Sequence, residues 1–230
     1  MDEQIIIDCD IPGVRPARQQ RSRDLMVSLV NEGLALLNDH DFDTLSIEAI
    51  CERCDTTTGS FYARFESKEA YVTALQRLVV ADTRVSMVAN YQSNRAPRES
   101  LPYLLTWISK GAVAWYRRNE GLVRACLRRA GSDPGIWTPM RELGELQVSL
   151  ALPQILSLLP GRTSNSEKQY VLFAFQILHG TINNMVLINP GPFSIHHPNT
   201  GPMLATAMLN LIERRPGSAS PRRIAFASDG

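Results

Sequence analysis

Residues 45–71 are LSIEAICERCDTTTGSFYARFESKEAY, and the fold can be inferred outward from them. Ser46 is suited to cap a second helix over Ile47–Cys54, because its hydroxyl can accept a hydrogen bond from a free backbone N–H of the first turn. Asp55-Thr56-Thr57 then predicts a tight turn, and a short third helix follows over Thr58–Phe65. A capped helix, a tight turn and a short helix together predict a helix-turn-helix.

The short third helix has two different faces. Phe61 and Phe65, one helical turn apart, are expected to anchor it against the second helix. The small residues at its start allow close approach to base edges in a DNA major groove. Tyr62 and Lys68 are expected to bind phosphate. The expected DNA-binding set is Ser46, Thr57, Thr58, Gly59, Ser60, Tyr62, Lys68 and, from a basic segment upstream, Arg21.

One known family shows the same combination of residues. Residues 21–76 resemble the DNA-binding region of the TetR (tetracycline-repressor-like) family, through Ser46-Ile47, Ile50, Gly59-Ser60-Phe61-Tyr62, Phe65 and Ser67-Lys68-Glu69. The resemblance implies an all-α homodimer with an N-terminal DNA-binding domain and a variable C-terminal effector domain. It also implies that the last two long helices pair across the dimer, here about 165–188 and 201–214.

The pattern departs from the family inside the turn. Family members usually carry Gly at the position of Asp55, where the chain tends to adopt the left-handed conformation. Asp tolerates that conformation better than most residues do. Thr56 and Thr58 also differ from the usual residues, which leaves the operator sequence open.

Helical periodicity extends through the rest of the chain, and no segment has the alternation of a strand. The sequence predicts a flexible leader over 1–17, a DNA-binding domain over 18–68 with its motif at about 45–65, a ligand-binding and dimerisation domain over 69–215, and a disordered tail over 216–230. The predicted helices are Ser22–Asn38, Ile47–Cys54, Thr58–Phe65, Lys68 to about Asn90, Leu101–Arg118, Gly121–Ala130, Thr138 to Pro160, Asn165–Ile188 and Gly201–Arg214.

Composition limits the possible partners. The 230 residues are 44% hydrophobic with a net charge of only +1, so DNA binding has to depend on local charge. Arg15, Arg18, Arg21 and Arg23 supply such a cluster, either as a solvated leader or as a DNA contact. The most apolar stretch, 170–188, contains His179 and Asn183, which are costly to bury in lipid. A cytoplasmic protein with no membrane contact is therefore expected.

The C-terminal region carries candidate ligand contacts. They are Trp107, Trp115, Trp137, Phe175, His179 and Asn183. The aromatic residues either line an effector cavity or simply fill a core. His179 and Asn183, one turn apart, are candidate polar anchors in such a cavity or hydrogen-bonding groups at a dimer interface.

The sequence indicates a DNA-binding transcriptional regulator, with repression implied by the family. A small, largely apolar effector is expected to release it from operator DNA. The alternative is a helical dimer that holds a protein partner and has little affinity for DNA. We expect no catalytic residues, cofactor or metal: Cys51 and Cys54 fall on the predicted core face, and His196-His197 sits in a Pro/Asn loop.

Overall fold

The computed structural model describes residues 1–8, 10–39, 42–93, 95–160 and 165–213. This part of the chain is built from α-helices and one short 3-10 helix, Pro134–Trp137, so the predicted all-α fold is confirmed. The α-helices are α1 Glu3–Ile7, α2 Gln20–Asp39, α3 Ile47–Arg53, α4 Thr58–Tyr62, α5 Lys68–Gln92, α6 Leu101–Arg118, α7 Glu120–Arg129, α8 Thr138–Ser157, α9 Asn165–Leu187 and α10 Thr200–Glu213.

Most helix bounds agree with the sequence-based expectation to within two residues, but α4 and α8 each end three residues early. Helix α4 ends at Tyr62 rather than Phe65, because the residues after it leave the helix to pair with the leader. Val14 and Phe65 form an isolated antiparallel bridge, and the Glu66 N–H donates to the Gly13 carbonyl at 3.0 Å. Helix α8 begins at Thr138 as expected, directly after the 3-10 helix, and ends at Ser157 rather than Pro160.

The leader, expected to be flexible over 1–17, contains the short helix α1 and buried apolar side chains, and its flexibility stays a prediction. Asp2 caps α1 by accepting from the Gln4 N–H at 2.9 Å. Ile6, Ile11 and Ala17 are buried in the same core as the helix-turn-helix. Burial of these apolar side chains holds the leader against the rest of the N-terminal region. The sequence pattern missed this because α1 has only five residues.

Two clusters of buried side chains divide the molecule. The first is built around α2 to α5 and also contains residues of α7 and α8, and the second joins α6, α8, α9 and α10. Helix α5 enters both, with Tyr71 in the first cluster and Tyr91 in the second. It therefore connects the two halves, as α7 and α8 also do. The domain boundary at residue 68 stays a prediction, since the first core continues beyond it.

Some expectations lie outside the described residues. These are the helix end at Arg214 and the tail over 216–230. In the described part of the chain, one helical stretch, Glu167–Leu187, is long and apolar enough to cross a membrane by length and composition alone. The same stretch carries Gln176 and Asn184 on its exposed surface.

Candidate nucleic-acid interface and internal cavity

The start of α4 presents short polar side chains to solvent. Thr57 caps the helix by accepting from the Ser60 N–H at 3.2 Å, and the two hydroxyls lie 3.1 Å apart. Thr57, Thr58 and Gly59 are exposed and Ser60 is half-buried. No bulky side chain from these four positions covers this edge of the helix. It is therefore shaped to approach another surface closely.

The turn before α4 has the predicted left-handed residue. Asp55 has a φ of 46°, a conformation that L residues other than Gly, Asn and Asp adopt rarely. The Thr56 N–H donates to the Cys51 carbonyl at 2.9 Å and closes the turn. Asp at this position therefore serves the same purpose as the usual Gly, as the sequence led us to expect.

Behind α4, three aromatic rings lock its position. Phe61, Phe65 and Tyr71 are fully buried, with ring centres 4.8 to 5.1 Å apart. The Tyr71 hydroxyl donates to the Leu29 carbonyl of α2 at 2.6 Å. A Cβ on Gly33 would overlap that hydroxyl, so α2 needs glycine here. Sequence reasoning missed this contact, although a glycine in the interior of a helix was a signal, because it destabilises the helix relative to alanine.

The remaining expected DNA-binding residues flank α4 without forming one cluster. Ser46 caps α3, accepting from the Ala49 N–H at 3.1 Å, and its hydroxyl donates to Glu48 at 2.8 Å. Tyr62 is 49% exposed and Arg21 is exposed on the first turn of α2. Lys68 is half-buried, and its Nζ donates to the Asp43 carbonyl at 3.2 Å. Lys68 and Ser46 are thus already engaged within the protein, whereas Tyr62 and Arg21 face solvent.

The leader passes beside the end of α4. The Arg15 N–H donates to the Arg64 carbonyl at 2.8 Å, and the Arg64 guanidinium donates to the Pro16 carbonyl at 3.0 Å. Gly13 allows this approach, because its φ is 79° and a Cβ there would come within 2.8 Å of the Ala70 Cβ. Consequently the exposed side chains of Arg15 and Arg18 are carried by backbone that is fixed next to the helix-turn-helix.

The two cysteines of α3 and its C-cap belong to the core side of the motif. Cys51 is buried, and Cys54 is half-buried with its sulfur accepting from the Ser28 hydroxyl at 3.3 Å. Burial raises the pKa of both thiols. Neutral thiols packed against apolar side chains act as small core residues.

The C-terminal half contains a cavity of about 1180 Å³ between α5, α6, α8 and α9. All three tryptophans of the chain line it, together with Tyr91 and Tyr116. All six candidate ligand contacts lie on its wall: Trp107, Trp115, Trp137, Phe175, His179 and Asn183. The structure therefore brings these residues to one place, and their binding of a ligand stays a prediction.

The polar groups in the wall are linked in pairs across helices. The Tyr116 hydroxyl donates to Asn183 Oδ1 at 2.9 Å, and the Trp115 indole N–H donates to Thr83 Oγ1 at 2.8 Å. His179 Nε2 lies 2.8 Å from Gln147 Oε1. Burial lowers the pKa of His179 to about 4, so the ring is neutral at pH 7. Sequence reasoning missed Thr83 and Gln147, although Gln147 is a polar residue between Leu146 and Val148.

Close contacts connect the cavity region to the helix-turn-helix. Gly121 of α7 approaches α2 so closely that a Cβ would overlap the Leu37 carbonyl. The Gln76 side chain of α5 donates to the Ile136 carbonyl at 2.6 Å, next to the cavity residue Trp137. These contacts link α7 to α2 and the 3-10 helix to α5.

A third contact joins the same regions through a ring. The Arg129 guanidinium of α7 lies 4.2 Å from the centre of the Phe42 ring, and Lys68 Nζ lies 4.8 Å from the same centre. Both are cation–π contacts. Phe42 thus holds the start of α5 and the end of α7 together beside the helix-turn-helix.

Helices α9 and α10 expose an apolar surface on the outside of the C-terminal half. Leu172, Phe173 and Met203 are 46%, 51% and 48% exposed. On α9 the exposed positions include Gln176, and then Gly180, where a Cβ would meet nothing within 4 Å. A small residue in the middle of an exposed face lets another helix approach closely.

The chain is similar to known regulatory proteins in part of its sequence and in its fold. Residues 29–75 match the family model of bacterial regulatory proteins, tetR family. The chain is similar to the solved structure of Salmonella enterica GusR, with a TM-score of 0.58 and 13% identity, over 84% of this chain and 97% of that one. A TetR transcriptional regulator from Rhodococcus sp. RHA1 gives a TM-score of 0.45 and 14% identity, over 84% and 98% of the two chains. No curated protein matches the chain.

Proposed function

Because residues 29–75 match the family model of bacterial regulatory proteins, tetR family, we propose that this protein is a dimeric repressor that binds operator DNA and leaves it when a small molecule occupies the cavity. Regulators of this family are DNA-binding transcription regulators, generally repressors, and they function as dimers. The residues that read the DNA, the dimer surface and the effector are proposals for this chain.

The observation that carries the proposal is the open edge of α4. Its exposed small residues are backed by the buried rings of Phe61, Phe65 and Tyr71, so they are held in a fixed orientation. A recognition helix enters the major groove with its N-terminal residues against the bases. Thr58 and Ser60 are positioned for base edges, and Thr57 and Gly59 for close backbone approach.

Phosphate binding depends on groups around that edge. Tyr62 and Arg21 are free to contact the DNA backbone, and the leader adds the exposed Arg15 and Arg18 close to the end of α4. Lys68 can reach phosphate by exchanging its bond to the Asp43 carbonyl for a stronger charged one. Ser46 contributes mainly as the cap that orients α3. These local charges explain how a chain of net charge +1 can bind DNA.

A second copy of the chain is the proposed partner on the apolar surface of α9 and α10. Leu172, Phe173 and Met203 would be removed from water, and Gly180 would let the helices of the two copies approach closely. The proposed interface lies within 165–188 and 201–214. Such an interface would also explain why α9 is apolar without placing it in a membrane. We therefore propose that the protein works in the cytoplasm, where its DNA target lies.

Release follows if the effector favours a different spacing of the two recognition helices. The route runs from the cavity residues Trp115 and Trp137 through α7 and the 3-10 helix to the contacts at Gly121 and Gln76. The effector shifts the equilibrium only by the difference between its affinities for the two dimer shapes. No cofactor or catalytic step is needed.

The test is selection of duplexes from a random pool by the full-length protein, followed by mobility shifts with the selected sequence. We expect a complex that is sequence-specific, salt-dependent and contains two protein chains. Thr58→Ala should change the selected sequence, whereas Ser157→Ala, an exposed position on α8, should not. An intact dimer with equal, weak affinity for all duplexes would contradict the proposal and favour a dimer that holds a protein partner.

A further inference from the structure

The cavity has charge at its rim and none in its interior. Its charged lining residues, Arg95, Arg118, Arg141 and Glu145, are all exposed to solvent. Among the described residues, every buried or half-buried group on the wall is uncharged, because His179 is neutral at pH 7. An ionic group deep in the cavity would lose its hydration without gaining a counter-charge, which is costly.

His179 offers one unused acceptor to the cavity. Its ring is half-buried by surface area because one side of it borders the open space. Gln147 Oε1 can only accept, so the Nε2 that lies 2.8 Å from it carries the proton. In a neutral ring Nδ1 then has a lone pair and no proton. Gly144 faces this nitrogen, and a Cβ there would be 3.4 Å from it, so only a glycine surface borders it on that side.

The Tyr91 hydroxyl is covered by the protein. Tyr91 is 5% exposed and the residue lines the cavity, but its hydroxyl has almost no accessible surface and no hydrogen-bond partner among the described residues. Burial raises the pKa of Tyr91, and Gln147 opposes that shift, so the Gln147 side chain is near but does not form a well-aligned bond. A ligand in the cavity therefore meets the ring of Tyr91, and the polar contact falls to His179.

Flat apolar surfaces line the same cavity. The Tyr91 and Trp107 rings meet edge to face with centres 5.1 Å apart, and Trp115 meets Tyr116 in the same way at 5.2 Å. Aromatic walls of this kind bind planar rings well. The volume of about 1180 Å³ exceeds the range of about 300–1000 Å³ typical for drug-sized ligands, so a molecule of several rings fits.

We propose that the effector is an uncharged, multi-ring aromatic molecule with a hydroxyl that donates to His179 Nδ1. This proposal rests on the proposed function, in that it takes the cavity to be the effector site. It deepens that function by assigning a chemical class and one polar contact. Within this class, the hydrogen bond fixes the orientation of the ligand and the tryptophans supply the contact area.

The test uses three matched probes and the full-length protein without DNA. The probes are meta-hydroxybenzophenone, meta-methoxybenzophenone and meta-benzoylbenzoate, which differ only in presenting a donor, no donor or a negative charge. By calorimetric titration we expect the hydroxyl probe to bind about tenfold more tightly than the methoxy probe, the equivalent of one hydrogen bond. The carboxylate probe should bind most weakly. Irradiation of the bound ketone should attach it to residues of the cavity wall.

Two variants test the contact. His179→Leu should abolish the preference for hydroxyl over methoxy. Gly144→Ala puts a methyl group 3.4 Å from His179 Nδ1 and should reduce the same preference, so it tests the proposal even if His179→Leu is unstable. Ser157→Ala, an exposed position on α8 that does not line the cavity, is the control and should change neither affinity.

Several results would overturn the proposed class. They are equal binding of hydroxyl and methoxy probes, tighter binding of the carboxylate, attachment outside the cavity, or no measurable binding of the hydroxyl probe. These measurements contain no DNA, so they are independent of the mobility shifts. A protein that selects an operator but prefers the carboxylate probe would support the proposed function and contradict the proposed ligand class. A protein that prefers the hydroxyl probe but selects no operator would support the ligand class of the cavity and contradict the proposed function.

Discussion

Aromatic side chains in the N-terminal half fill space, whereas those in the C-terminal half enclose it. Phe61, Phe65 and Tyr71 touch one another and are fully buried. Trp107 and Trp115 are only half-buried, because one side of each borders the cavity. The same residue class thus makes a rigid support for α4 in one half and an adaptable wall in the other. Dense packing suits the surface that is proposed to match DNA. An open cavity suits the proposed effector, whose binding would change the shape of the dimer.

The largest expected difference is in the free energy of unfolding when one aromatic ring is truncated in each half. Phe65→Ala leaves a cavity in a close-packed cluster and should lower the free energy of unfolding by about 3–5 kcal/mol. Trp107→Ala enlarges a cavity that already exists and should cost roughly 1–2 kcal/mol, although its side chain is larger. Urea denaturation followed by circular dichroism measures both. Equal losses would mean that the two halves do not differ in packing as described.

Acid should weaken the C-terminal half through His179. Its pKa is about 4 in the folded protein and near 6.5 in the unfolded chain, so the unfolded chain takes up a proton first. The stability that His179 contributes is complete above pH 6.5 and is lost as the pH falls toward 4. The full loss is on the order of 3 kcal/mol.

The measurement is urea denaturation at pH 7 and pH 5 for the natural chain and for His179→Gln. The substituted chain keeps a side-chain donor for Gln147 but does not titrate. We expect the natural chain to lose about 2 kcal/mol more than the variant between these two pH values. Other groups titrate equally in both proteins and cancel in the difference. An identical pH dependence would show that burial does not lower the pKa of His179 as described.

A smaller effect is expected where the two halves meet. A Cβ in Gly121→Ala would overlap the Leu37 carbonyl, which is backbone and cannot rotate away. Forcing α7 and α2 apart should cost about 1–3 kcal/mol in the free energy of unfolding.

The matched control is Gly111→Ala in α6, where a Cβ meets nothing within 4 Å. This substitution should stabilise the protein by about 0.5–1 kcal/mol, because alanine favours a helix over glycine. Thermal unfolding of the two variants side by side gives the sign of each effect. A stabilising Gly121→Ala would contradict the close contact between the halves.

The two halves also differ in what their sequences reveal. Ser46, Asp55, Phe61 and Phe65 obey local rules of capping, turn conformation and helical spacing, so the motif could be predicted from a short window. The fixing of the leader depends on hydrogen bonds between residues about fifty positions apart, such as Arg15 and Arg64, which no local pattern indicates. For the same reason Gln147 and Tyr91 were missed: only the assembled helices bring them to His179.

The smallest effect tests the DNA-binding edge itself. Tyr62→Phe removes one exposed hydroxyl and should weaken operator binding about fivefold, the loss of roughly one hydrogen bond to phosphate. Tyr103→Phe is the matched control, since Tyr103 is 68% exposed on α6 in the other half and should leave the affinity unchanged. Both are measured by mobility shift on the selected duplex at several salt concentrations.

The salt dependence separates this contact from the charged ones beside it. Because tyrosine and phenylalanine are both uncharged, Tyr62→Phe should lower the affinity without changing the slope of log affinity against log salt. Arg21→Ala removes a cation and should reduce that slope by about one for each chain that contacts phosphate. Unchanged binding by both variants would show that DNA approaches another face. The rigid aromatic support behind α4 would then serve stability alone.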